Sequence, residues 1–188
     1  MRENPFAYFM SAVDDGVLFS PLPTIVEESH GEVSIYAHMA AVNEHSRHLD
    51  NKRISIVFMG THHYISPRWY VDPSSVPTWN YALVIARGIS SILDFPDTMN
   101  LLKKLSERFD PEWTALEKEK ESYYQRMVSQ IVAFRVKCES VEGKFKLSQN
   151  HPLEDRKRVI EALSTADEEG KGMAELMKRT VLNESRGT

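Results

Sequence analysis

One cysteine in 188 residues excludes an intrachain disulfide and every multi-cysteine zinc or iron–sulfur site. No apolar run approaches the roughly 18–20 residues that cross a bilayer; the longest, such as Tyr81 to Ala86, are far shorter. The opening MRENPFAYFM also lacks the apolar stretch of a signal peptide, so the expectation is a cytoplasmic protein with no membrane segment. There is no GxGxxG, no Walker loop and no GxSxG, which removes the usual nucleotide-binding and α/β-hydrolase signals. Net charge is −4, from 23 Lys plus Arg against 27 Asp plus Glu, so the chain has no global attraction for nucleic acid or anionic membrane. No internal repeat is visible.

What is present suits one compact domain over residues 1–188. A chain of this length buries about 70% of its unfolded surface on folding, enough for a core without disulfide or metal. The first third reads as short strands separated by turns, the spacing of an antiparallel sheet or barrel rather than of βαβ units. Phe6 to Val13 is a strand, Asp14 to Gly16 a hairpin turn, and Val17 to Ile25 the returning strand, with Pro21 and Pro23 placing it at an edge. A turn at Ser29 to Gly31 leads to a strand from Glu32 to His38, and Met39 to Leu49 reads as helix. Arg53 to Met59 alternates strictly. Tyr81 to Leu93 is a long central strand in which Gly88 marks a bulge or a close backbone approach.

After Pro96 the period changes to 3.6, with Met99, Leu102, Leu105 and Phe109 on one face. Glu117 to Ser129 reads as a second helix, giving helical insertions over about 97–129. Ile131 to Val141 alternates again and buries Cys138 as a small apolar residue. Gly143 reads as a turn before a polar segment, Lys144 to Asn150. A helical region over about 152–182 follows, with Val159, Ile160, Leu163, Met173, Leu176 and Met177 apolar, and the closing NESRGT reads as disordered. The fold class is therefore mainly β with flanking helices.

His45 and His48 share a face if their segment is helical, but the spacing is not HExxH, and they read as solvated imidazoles with no metal site. His62 and His63 are adjacent and in an extended segment point apart. The informative segments are GTHHYISPRWY (Gly60 to Tyr70), VPTWNY (Val76 to Tyr81) and GKFKLSQN (Gly143 to Asn150). Each mixes planar aromatics with hydroxyl and amide side chains, as needed to sandwich a flat heterocycle and bond its edges and a phosphate. Aromatic turns that close a barrel, with Trp69 and Trp79 as core plugs, account for the same composition equally well.

YISPRWY, VPTWNY and GKFKLSQN, together with PFA at Pro5 to Ala7 and YAHMAAVN at Tyr36 to Asn43, resemble the PaiB-type proteins of the FMN-binding split-barrel superfamily, from about Pro5 to Leu163. The resemblance implies an antiparallel split β-barrel and a homodimer with FMN between its subunits. Relatives are labelled flavin-binding proteins or negative transcriptional regulators. The family pattern before Asn43 is His, any, Ala, Arg, any, Asn; here Ala41 stands at the Arg position, and Ile85 replaces a family His. Losing a cationic phosphate contact costs about 1.5–3 kcal/mol.

On this resemblance Trp69, Tyr70 and Trp79 would wall the flavin ring. His38, Asn43, Ser66, Thr78 and Asn80 would supply hydrogen bonds, and Lys144 or Lys146 would offset phosphate charge. No side chain shows a catalytic role of its own, and whether the protein is an enzyme stays open. Two alternatives stand beside this reading. One is a regulator acting through DNA or a protein partner, for which the compact basic cluster is Arg156, Lys157 and Arg158, itself better read as a solvated helix face. The other is haem handling with His38 or His62 as axial ligand.

Overall fold

The computed structural model describes residues 1–112, 125 and 127–184. Seven strands form an antiparallel sheet: β1 (Phe6–Val13), β2 (Gly16–Pro23), β3 (Ile25–Ser29), β4 (Glu32–Ala40), β5 (Arg53–Ile65), β6 (Thr78–Ile92) and β7 (Ile131–Lys146). Their order is β2-β1-β5-β6-β7-β4-β3. The helices are α1 (Phe95–Phe109), α2 (Leu153–Ser164) and α3 (Glu168–Glu184). The chain divides into two compact units, Met1–Phe58 with Ile85–Glu142 and Met59–Val84 with Gly143–Thr188.

In the first unit, turn chemistry sets the register. Val13 pairs with Gly16 across Asp14 and Asp15, and Gly16 takes φ 145°, open to glycine at no steric cost. His30 and Gly31, both at positive φ, close the β3–β4 hairpin with Ser29 opposite Glu32. Alternation along β1, β4, β5 and β7 then sends Phe9, Ile35, Ile54, Ile56, Phe58, Phe134 and Val136 into a fully buried core. Each such side chain is worth about 1.5–3 kcal/mol relative to exposure. Phe9 and Phe134 meet edge to face with centroids 5.4 Å apart. Gly88 is a close approach: a Cβ there would lie 2.0 Å from the Lys137 carbonyl oxygen. Helix α1 starts where the Asp94 carboxylate accepts from the Asp97 N–H at 2.9 Å.

The second unit is built on the later part of β5, the start of β6, the end of β7, and α2 with α3. Its core joins Ile65, Tyr70 and Leu147 to Val159, Leu163, Met173 and Met177 of the two helices.

Several expectations are corrected. Met39 to Leu49 is not a helix: Met39 and Ala40 pair with Val132 and Ile131, which extends β4, and only Glu44–His48 forms a short 3-10 turn, capped by Asn43. The Val17 to Ile25 strand breaks after Pro23, which has no N–H to donate to a ladder. Gly60 to Ile65 continues β5 despite its polarity, with Thr61 and His62 bonded to Glu169 of α3. Gly143 lies inside β7 and makes no turn. The buried face of α1 is Thr98, Leu101 and Leu105, while Phe109 is exposed. Asn183 and Glu184 belong to α3 instead of a disordered tail, whose last four residues lie outside the described ones, as does most of the helix expected at Glu117 to Ser129.

Candidate functional site

The three aromatic and polar segments fall in the second unit, and strand alternation sorts their side chains onto two faces. Thr78 and Asn80 of β6 point one way and Trp79 the other, which matches a half-buried Thr78, a buried Asn80 and a Trp79 that is 54% exposed. On the inward face Asn80 and Ser148 exchange hydrogen bonds at 3.1 and 3.2 Å, and the amide nitrogen also approaches Met177 Sδ at 3.4 Å. Lys146 Nζ donates to Thr78 Oγ1 at 2.6 Å, and Lys144, two residues earlier on β7, is exposed like Lys146. On the outward face Trp79 meets Tyr64 edge-on at 6.2 Å and lies 6.0 Å from the His62 ring.

The turn after β5 is a 3-10 segment, Pro67–Trp69, started by Ser66, whose Oγ accepts from the Arg68 N–H at 3.3 Å. Trp69 packs on the helical core and sits 6.4 Å from His63. Tyr70 is buried and stacks face to face on His151, with centroids 4.3 Å apart and planes 10° apart. The Tyr70 hydroxyl is buried with no hydrogen-bond partner among the described residues; burial pushes it above the usual tyrosine range, nearby Ser148 lowers it and the Asp155 carboxylate raises it further. Asp155 fixes the loop, accepting from the Val71 N–H at 2.7 Å and facing His151 at 3.6 Å. Ser148, His151 and Asp155 organise this region although the sequence reading gave none of them a role; the only signal was their place in and just after GKFKLSQN.

His38 and Asn43 belong to the first unit. His38 is half-buried on β4, its Nδ1 is buried without a hydrogen-bond partner among the described residues, and burial holds its pKa below the usual histidine value. Asn43 Oδ1 accepts from the His45 N–H at 3.0 Å, and its amide nitrogen donates to Ser20 Oγ at 3.3 Å. His45 is not a solvated imidazole. It is 1% exposed, with Nε2 2.8 Å from Ser11 Oγ and Nδ1 2.9 Å from Ser20 Oγ. Burial, then the nearby His48, lower its pKa.

The side chains expected at a ligand therefore differ in availability. Ser66, Tyr70, Asn80 and Asn43 are engaged within the chain. Thr78 and Lys146 bond to each other, Trp79 keeps an exposed aromatic surface, Lys144 is exposed, and His38 Nδ1 has no hydrogen-bond partner among the described residues. An ammonium with a hydroxyl is a donor set suited to phosphate, and an exposed indole suits a flat ring. Trp79, Thr78 and the two lysines, all in the second unit, fit the chemistry of a flavin mononucleotide.

His62, the other axial-ligand candidate, is held by Glu169, whose Oε1 lies 3.0 Å from His62 Nδ1; the hydrogen bonds from His62 keep the Glu169 carboxyl below its usual range. The basic cluster is not a uniformly solvated face: Arg156 is 5% exposed, because period 3.6 turns it inward with Val159, Ile160 and Leu163, and Arg158 lies 3.9 Å from Glu154. Among the described residues no helix is long and apolar enough to cross a membrane.

Residues 1–140 match the family described as "Putative FMN-binding domain". The Bacillus subtilis protein named protease synthase and sporulation protein PAI 2 is 28% identical over 186 residues, covering 95% of this chain and 88% of its own. Among solved structures, the FAD and heme binding protein from Mycobacterium smegmatis superposes with a TM-score of 0.58 at 14% identity, covering 81% of this chain and 71% of that one. The flavocytochrome from Azotobacter vinelandii gives 0.57 at 14% identity, covering 76% and 62%. These likenesses show the fold, a split β-barrel. The chain belongs to the FMN-binding-domain family.

Proposed function

We propose that the protein is a flavin-binding split-barrel protein that takes FMN at the interface of a homodimer and works in the cytoplasm as a flavin-dependent redox or sensing protein. The family match over residues 1–140 carries the reading. The exposed side chains of the second unit support it: Lys146, held against Thr78 at 2.6 Å, and Lys144 would lie at the phosphate. Trp79 would wall the ring. Because Trp79 stands on the opposite face of β6 from Thr78, one protomer's β6 cannot hold phosphate and stack the ring on the same side. A second protomer supplying the missing wall would account for the exposure of the indole and of the lysines alike, which is the argument for a dimer.

FMN, when bound, supplies the electron transfer. The chain's own residues hold it, orient it and limit water at its ring. Ala41 leaves the phosphate to lysines alone, point charges without the planar fork of an arginine, so affinity depends strongly on each of them.

The test is an absorbance spectrum of the purified protein before and after adding FMN, with size-exclusion chromatography on the same sample. Flavin bands that co-elute with a dimer are expected. Lys146→Ala should weaken FMN binding by about tenfold to a hundredfold, the scale of one charge-assisted hydrogen bond, and Trp79→Ala should weaken it while leaving the fold intact. A monomer, or a dimer with no titration signal, defeats the proposal.

A further inference from the structure

Within the first unit, a cavity of about 340 Å³ is lined by residues that have no part in the flavin reading. Its volume falls in the range of small-molecule sites, about 300–1,000 Å³. The floor is apolar: Ile25, Leu93, Leu101 and the ring of Tyr36 belong to one small core cluster. The walls are charged. Glu27 and Lys104 neutralise each other in an ion pair at 2.5 Å. Arg135 has no such partner: among the described residues nothing bonds or pairs with its guanidinium. Antiparallel register sets Arg135 opposite Tyr36, so both project on the sheet face that α1 covers.

Facing them on α1 are Asp97 and Asn100, three residues apart and therefore neighbours on the helix surface. Their side chains also have no partner among the described residues. The other carboxylate on the cavity, Asp94, already accepts from the Asp97 N–H as the helix cap. One unengaged guanidinium and one unengaged carboxylate thus border the same apolar floor. A simple carboxylic acid would meet Arg135 but be repelled by Asp97, and a simple amine would meet the reverse. A molecule carrying both charges on an apolar body satisfies every wall at once.

We propose that this cavity binds a small zwitterion of the α-amino acid class with an apolar side chain, its carboxylate on Arg135, its ammonium on Asp97 and its side chain on Ile25, Leu93 and Leu101. Tyr36 and Asn100 add hydroxyl and amide groups to the polar rim. The binding is independent of flavin.

Calorimetric titration of the full-length protein with L-leucine and with L-phenylalanine tests this, alongside N-acetyl-L-leucine, which lacks the cation, and L-leucinamide, which lacks the carboxylate. Saturable binding of at least one amino acid is expected, with both blocked compounds at least tenfold weaker. Arg135→Gln and Asp97→Asn, both surface changes, should each weaken binding tenfold or more, the scale of one charged hydrogen bond, while thermal melting shows the fold retained. The proposal is overturned if neither amino acid binds at millimolar concentration. It is equally overturned if a blocked compound binds as tightly as L-leucine, or if both folded variants bind unchanged.

Discussion

His45 offers the sharpest test of how the first unit is held together. Its imidazole is 1% exposed and bridges Ser11 of β1 and Ser20 of β2 through its two ring nitrogens. His45→Ala removes both bonds. Ser20 keeps the hydrogen bond from Asn43, but Ser11, itself 2% exposed, loses its imidazole partner. Two neutral hydrogen bonds at about 0.5–1.5 kcal/mol each, with about 1–3 kcal/mol for a stranded hydroxyl, give a loss of about 3–4 kcal/mol. At about 2–4 °C per kcal/mol for a chain of this size, the melting temperature falls by roughly 10 °C. Urea unfolding followed by near-ultraviolet circular dichroism measures it, and His48→Ala, in the same turn but half-buried, should change stability by less than about 0.5 kcal/mol. The same buried ring sets a pH dependence. Its folded pKa is below the unfolded value near 6.5, by burial first and His48 second. Below pH 6.5 the unfolded chain therefore binds a proton that the folded chain does not. Stability is full above pH 6.5 and declines as pH falls toward the folded pKa, by up to about 1.4 kcal/mol per unit. His38, lowered by burial alone, adds in the same direction. His45→Ala should flatten part of that slope. A loss under 1 kcal/mol together with an unchanged slope would refute the bridging role.

Gly88→Ala should destabilise the protein by about 3 kcal/mol or prevent soluble expression, since its Cβ would fall 2.0 Å from a backbone oxygen that has no rotamer in which to retreat; chemical denaturation or yield reports it. Cys138 should be almost unreactive, because burial pushes its thiol up to about 11, so that at pH 8 roughly a thousandth is thiolate; modification by a chromogenic disulfide reagent should be slow until denaturant is added. His151→Ala should cost about 1 kcal/mol through the lost stack on Tyr70, and a melting temperature equal to that of the wild type would show that the stack contributes nothing.

How far these features could be read in the sequence depended on where their partners lie along the chain. Phe6–Val13 and the first half of β7 declare themselves because burial on one face of a strand requires period two, and both hairpin turns show in their Asp-Gly and His-Gly pairs. Met39 to Leu49 misleads because its alanines favour helix locally, and the ladder that overrides them comes from Val132 and Ile131. GTHHYI looks too polar for a strand until Glu169, 107 residues away, accepts from the His62 N–H. Arg156 joins its neighbours only as a run of charge, whereas helical period turns it to the core. The candidate site follows the same rule. Composition located the aromatic and hydroxyl segments, but which of them stay open is decided by Ser148, His151 and Asp155, late in the chain and silent as a pattern. Asn80 and Tyr70 are drawn inward by those partners, and Trp79, between Asn80 and Thr78 in sequence, is left outside by strand alternation alone. On the proposed reading, an indole with half its surface exposed on one face of β6 and Lys146 held at Thr78 on the other would form two halves of a site that a second, symmetry-related copy completes.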